Sequence, residues 1–183
     1  GHKLERLAAL ARRTAIKVVA DNDALLEGLS HAAALAGRDI EVLVECDTGA
    51  ARNGVQSAEA ALTLAQAIDT TPGLIFGGLM TLPKNGARPQ MAAFLEAARD
   101  GLSASGLNVP AVSTGGSPDM WKDDGLGLAT EYRAGTYVYM DRMQMAAGSA
   151  AADDCALMEA ALPKLRDIAG NIAMPGFTAP KLH

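Results

Sequence analysis

The segment Ser113-Thr114-Gly115-Gly116-Ser117 closes an apolar run and sets two glycines between hydroxyls, a composition suited to gripping a phosphate. Adjacent glycines let successive backbone N–H groups converge on one anion, and the hydroxyls add donors. An ordinary strand-to-helix turn has the same make-up, so both readings stand for this loop alone. A second set follows at Arg133-Ala134-Gly135-Thr136, where a permanently charged guanidinium precedes two amides that could hold the same phosphate. Arg52 lies in the glycine-bounded loop Asp47-Thr48-Gly49-Ala50-Ala51-Arg52-Asn53-Gly54. Each arginine taken singly is equally a solvated side chain at a strand end, Arg52 paired with Asp47 on the surface.

The elements that must position these residues alternate. Leu4, Leu7, Ala8, Leu10 and Ala11 have the spacing of an amphipathic helix. Ala15 to Ala20 is a short run rich in branched residues, ended by Asp21-Asn22-Asp23, which can cap a helix from Ala24 to Ala36. The unit recurs as strand Ile40 to Cys46, helix Ser57 to Ile68, strand Leu74 to Met80, helix Pro89 to Ser103 and strand Val109 to Ser113. One more strand candidate runs from Leu126 to Asp141, interrupted by Gly135. A small-residue connector from Ala146 to Ala152 and a helix from Met158 to Ile172 follow. This alternation predicts an α/β fold with a parallel sheet. Gly77-Gly78 would let a helix or neighbouring layer approach the backbone. An open doubly wound sheet and a closed eight-stranded barrel both satisfy the pattern.

Composition removes several classes of function. The net charge of −5 carries no basic block, so nothing suggests a sequence-independent grip on nucleic acid. Cys46 and Cys155 are too few for a disulfide framework or zinc ribbon and point to a reducing cytoplasm. No apolar run has the length of a membrane span, and no signal-peptide core is present. The chain of 183 residues opens on Gly1 inside a helical pattern, which reads as a fragment.

In combination the motifs are more specific. Asp47-Thr48-Gly49 with Arg52-Asn53-Gly54-Val55, the serine and glycine loop, and Arg133-x-Gly135-x-x-x-Tyr139 closely resemble the fold-type III pyridoxal-phosphate enzymes, the alanine racemase-like group. Gly78 to Pro83, the loop through Trp121, Thr130 to Tyr137 and Asp153 to Leu157 look most like its D-threonine aldolase and D-serine dehydratase branch. The resemblance implies a partial (β/α)8 TIM barrel of about five strand-helix units over residues 1–157, with 158–183 a divergent helical tail arising from a frame change or chimeric junction. It implies that Arg52 lies near the cofactor's phenolic oxygen and Arg133 faces its pyridine nitrogen. Ser113, Thr114, Gly115, Gly116, Ser117, Gly135 and Thr136 would hold the phosphate, with Tyr137 or Tyr139 nearby.

The activity implied is that of a lyase cleaving D-3-hydroxy amino acids to glycine and an aldehyde. The alternatives are a D-serine dehydratase, a racemase of the same fold, a non-catalytic pyridoxal-phosphate binder, or a domain for another phosphate ester. No lysine matches the family's Schiff-base lysine, which is expected upstream of Gly1. Lys3 and Lys17 read as solvated or snorkelling side chains, and nothing in the family places that lysine at Lys84 or Lys122. The branch's divalent metal belongs to a C-terminal domain, and His183 reads as a solvated tail residue. The intact enzyme is expected to be a homodimer.

Overall fold

The computed structural model describes residues 2–122 and 127–156. The helix expected over Met158 to Ile172, the first residue of the strand expected from Leu126, and His183 lie outside them. The chain divides into two compact units, Gly1–Ala134 and Gly135–His183. In the first, β1 (Lys17–Ala20), β2 (Ile40–Cys46), β3 (Leu74–Thr81), β4 (Ala111–Gly115) and β5 (Glu131–Arg133) form a five-stranded sheet in the order β1-β2-β3-β4-β5. Every neighbouring pair is parallel. A doubly wound sheet reverses its strand order at a switch point, and a barrel does not. The unbroken order selects the barrel.

One face of the sheet carries the core. Ile40, Val42, Val44 and Cys46 of β2 share a cluster with Leu74, Phe76 and Leu79 of β3 and Val112 of β4, packed on α2 (Leu26–Ala36), α3 (Ala58–Thr70) and α4 (Arg88–Ala104). α1 (His2–Ala11) adds Ala8 and Ala11. Alanines at 32, 33, 61, 65 and 98 are buried, so helices and sheet approach closely through small side chains. Alternation turns Glu41, Leu43 and Glu45 to the opposite, inner face. There Lys17 pairs with Glu41 at 2.9 Å and meets Glu131 at 3.8 Å, so side chains of the first and last strands reach one another across a curled sheet.

The local signals act in different ways. Ser57 caps α3 as its position predicts, its Oγ accepting from the Ala60 N–H at 3.2 Å. Asn22 makes no side-chain cap, and the turn Asp23–Leu25 precedes α2 instead. β4 begins at Ala111 rather than Val109 because Pro110 has no N–H to give the ladder. The backbone approach expected at Gly77-Gly78 is made by a strand and a side chain. β3 bulges there, a Cβ on Gly78 would strike the Ala111 carbonyl, and one on Gly77 would strike Glu41.

The strand expected from Leu126 to Asp141 is corrected to the three residues of β5. Among the described residues β5 pairs with Ser113, Thr114 and Gly115 alone, and once β4 turns away at Gly116 none of them extends the ladder. In the second unit, Thr136–Val138 forms a single 3-10 turn, and Asp141 caps the short α5 (Arg142–Ala146) by accepting from the Gln144 N–H at 2.9 Å. The connector expected at Ala146 thus begins on the end of a helix.

Candidate functional site

Arg133 organises the carboxyl ends of the strands. It ends β5 on the inner face, opposite Gly115, and its Nε donates to Ser113 Oγ at 3.0 Å. One terminal nitrogen donates to the Thr81 carbonyl at 2.7 Å, so the side chain spans β4 to reach β3. Two of its nitrogens are therefore fixed to the scaffold. The other, Nη1, makes no hydrogen bond among the described residues and remains to meet an acceptor. Gly115 is required beneath it, since a Cβ there would strike the Arg133 backbone.

The Asp47 loop is built with equal economy. Asp47 Oδ1 accepts from the N–H groups of Gly49 at 2.9 Å and Ala51 at 3.0 Å, and Gln56 donates to Oδ2 at 3.2 Å. These bonds hold the Asp47 carboxyl below the usual range. Thr48 and Thr81 hydroxyls meet at 2.8 Å in a fully buried pair, and Thr81 donates on to the Cys46 carbonyl at 2.8 Å. The loop is thereby pinned to β3. Arg52 is exposed at its crest, with Nε donating to Asn53 Oδ1 at 3.0 Å rather than to Asp47.

Glu45 lies one residue before the end of β2 on the same inner face and is only 3% exposed. Burial raises its carboxyl above the usual range, against the opposing charges of Arg133 and Arg52, while Asp21 raises it further. Its neighbour Cys46 faces the helices, and burial pushes that thiol up to about 12, which makes it a packing residue.

The expected phosphate loop is partly spent on the scaffold. Ser113 is 1% exposed and holds Arg133, while Thr114 turns to the helical side and donates to Met91 Sδ at 3.2 Å. The Gly116 N–H donates to the Arg133 carbonyl at 3.0 Å, and Tyr132 Oη donates to the Gly116 carbonyl at 2.8 Å. Space remains beside the turn, because a Cβ on Gly116 would meet only Leu82 Cδ1 and Pro118 Cδ, both at 3.8 Å. Ser117 is buried at its far side. A cavity of about 530 Å³ is lined by Arg88, Met91, Thr114, Asp119, Glu131 and Tyr132. In the second unit Gly135 precedes the turn Thr136–Val138, and Tyr137 and Tyr139 are largely exposed.

The alanine racemase N-terminal domain family matches residues 1–143. The chain belongs to that family. A D-threonine aldolase of an Arthrobacter species is 35% identical over 150 residues, 76% of this chain and 40% of that protein. A 3-hydroxy-D-aspartate aldolase of Paracoccus denitrificans is 32% identical over 153 residues, 76% of this chain and 39% of its own. The structure of D-threo-3-hydroxyaspartate dehydratase from a Delftia species superposes with a TM-score of 0.75 at 28% identity, covering 85% of this chain and 44% of that one. This chain thus spans about two-fifths of the length of the relatives it matches. A stretch of 31 residues, 17% of this chain, is 61% identical to xylulose kinase of Escherichia coli over 6% of that protein, too little to assign a fold or activity.

Within this alanine racemase-type barrel, the first unit brings Ser113, Gly115, Gly116 and Arg133 together and leaves Arg52 extended on its own loop. Lys17 is more than a solvated strand residue: it is the cation of the inner-face cluster with Glu41 and Glu131. Among the described residues no three His, Cys, Asp or Glu side chains gather as metal ligands, and no helix is long and apolar enough to cross a membrane. Glu45 and Thr81 were not singled out from sequence. The signal for Glu45 was a carboxylate inside the otherwise apolar Val42-Leu43-Val44-Glu45-Cys46, which a strand buried on both faces does not tolerate without purpose.

Proposed function

We propose that this chain forms part of the cofactor-holding barrel of a pyridoxal-phosphate lyase that cleaves D-3-hydroxy amino acids to glycine and an aldehyde. The observation that carries the reading is the guanidinium of Arg133, fixed by Ser113 and Thr81 with one nitrogen left to donate on the inner face. The donor set fits the group. A guanidinium that never gives up its proton suits an unprotonated pyridine nitrogen, and the open space beside Gly116 suits a phosphate. The cofactor, when bound, supplies the electron sink for breaking bonds at the substrate's α-carbon.

The residues of this chain bind and orient. Arg133 Nη1 donates to the ring nitrogen and keeps it unprotonated, which moderates the sink. Arg52 donates to the phenolic oxygen. Gly115, Gly116 and Ser117 border the phosphate, while Ser113 serves the site indirectly by holding Arg133. The roles of Gly135, Thr136, Tyr137 and Tyr139 rest on sequence resemblance. The lysine, any divalent metal, the D-amino-acid substrate and a homodimeric state belong to the same proposal for the longer protein. The free, buried Cys46 and Cys155 support a reducing, cytoplasmic setting.

Titration of the chain with pyridoxal 5′-phosphate, followed by absorbance and calorimetry, should give saturable binding that Arg133→Ala abolishes; binding untouched by that substitution would overturn the reading. A second reading, dehydration of 3-hydroxy amino acids, is favoured by the likeness to the Delftia dehydratase. Acetaldehyde and glycine from D-threonine, against pyruvate from D-serine, assayed on the polypeptide carrying this segment with its lysine, decide between the two.

A further inference from the structure

Thr81 closes β3 with no exposed surface, and its polar groups bond to two different parts of the site. Its carbonyl accepts from Arg133 at 2.7 Å. Its hydroxyl donates to the Cys46 carbonyl at 2.8 Å, and with that one hydrogen spent it accepts from the Thr48 hydroxyl at 2.8 Å. Cys46 ends β2 and Thr48 lies in the loop that carries Arg52, so a single buried residue touches the mounting of both arginines. A valine of similar shape would fill the place without needing partners, so packing does not account for the hydroxyl.

The bulge in β3 is what brings Thr81 to this place. The two strands run with Val42 opposite Phe76, then slip by one residue so that Leu43 stands opposite Gly78 and Cys46 opposite Thr81. Without the extra residue Met80 would stand opposite Cys46. Bulges beside functional sites re-aim side chains in this way. The Arg52 loop is otherwise tied to its own strand and to itself: the Asp47 N–H donates to the Val55 carbonyl at 3.0 Å, and the Val55 N–H donates to the Glu45 carbonyl at 2.8 Å. Ala51, next to Arg52, holds a left-handed φ of 53°, a conformation that persists only where its surroundings over-determine it. Those bonds fix the shape of the loop, and the Thr48 to Thr81 bond sets its place against β3. We propose that Thr81 is a positioning residue that holds the Arg52 loop and Arg133 in one fixed relation, so that a single ligand meets both guanidinium groups without reorganising the site.

The role rests on the pyridoxal-phosphate reading for its ligand, yet the hold on the loop is measurable without the cofactor. Amide hydrogen exchange in the full chain is followed by NMR at Gly49 and Ala51, as a ratio to the amide of Leu95 in α4, which registers any general loss of stability. Thr81→Val should raise that ratio about tenfold, and Thr81→Ser should restore it. With pyridoxal 5′-phosphate as probe, Thr81→Val should weaken binding about tenfold and Thr81→Ser should recover it. Thr81→Val added to Arg52→Gln should cost no more than Arg52→Gln alone, because the hydroxyl acts through the loop. An unchanged or lower exchange ratio, unchanged binding by Thr81→Val, or effects of the two substitutions that multiply would each overturn the proposal. Failure of the wild-type chain to bind the probe would remove the cofactor reading, and the exchange ratio would then decide by itself whether Thr81 holds the loop.

Discussion

Asp47 shows how one short side chain sets the shape of a loop, and it leaves a pH signature. Its native pKa is lowered from the ordinary 3.8 by the amides of Gly49 and Ala51, so the stability it contributes is present above that value and lost as pH falls through the lower native one. Asp47→Ala should cost about 1 kcal/mol at neutral pH, discounted for solvent exposure, with the gap in melting temperature closing below pH 3.8. Glu45 has the opposite sign. Its native pKa is raised above the ordinary 4.5, so the folded state binds the extra proton and stability falls as pH rises from 4.5 through the native value. Glu45→Gln should therefore melt higher than wild type at pH 7 and equal it in acid, read by calorimetry across pH. The motif glycines and Arg133 were legible in the sequence because their types are distinctive. The division of labour between Ser113 and Ser117 was not, since two serines in one loop look alike until a guanidinium settles on one of them.

At the scale of elements, the helices and inner strands were legible from their period, with a side-chain cap agreeing at α3. Ser57 starts α3 and the β2 bounds fall where the apolar run does. β5 was not, because a strand's length is set by the neighbour it pairs with, and β4 turns away after Gly115. α4 offers the sharpest test of packing. Leu95 is fully buried in the cluster that joins this helix to the sheet, so Leu95→Ala should destabilise the chain by about 2–5 kcal/mol in urea unfolding. A Gly78→Ala substitution tests the bulge. Its φ of 123° and the Ala111 carbonyl both exclude a methyl group, so the loss should exceed the fraction of a kilocalorie, ~0.5–1 kcal/mol, by which alanine ordinarily improves on glycine in a strand, and should reverse its sign.

For the whole first unit, the face away from the helices holds Val19 at 39% and Ile75 at 51% exposure, and among the described residues β1 and β5 have no outer neighbours. Unpaired edges and exposed apolar side chains favour association. Sedimentation should show mass rising with concentration, and Ile75→Lys should suppress it. Fold class was legible at this scale from periodicity, and the choice of barrel over open sheet came from the motifs at the strand ends, which the strand order bears out. The contact of Lys17 with Glu131 joins the first strand to the last. The contact spans all five strands and closes the longest loop of the sheet, so loop-closure entropy predicts that it forms late in folding. Its ion pair is half exposed and adds little stability. As a clock it is more useful: a donor and acceptor dye on positions 17 and 131 would draw together only in the final kinetic phase, after helix signals are complete.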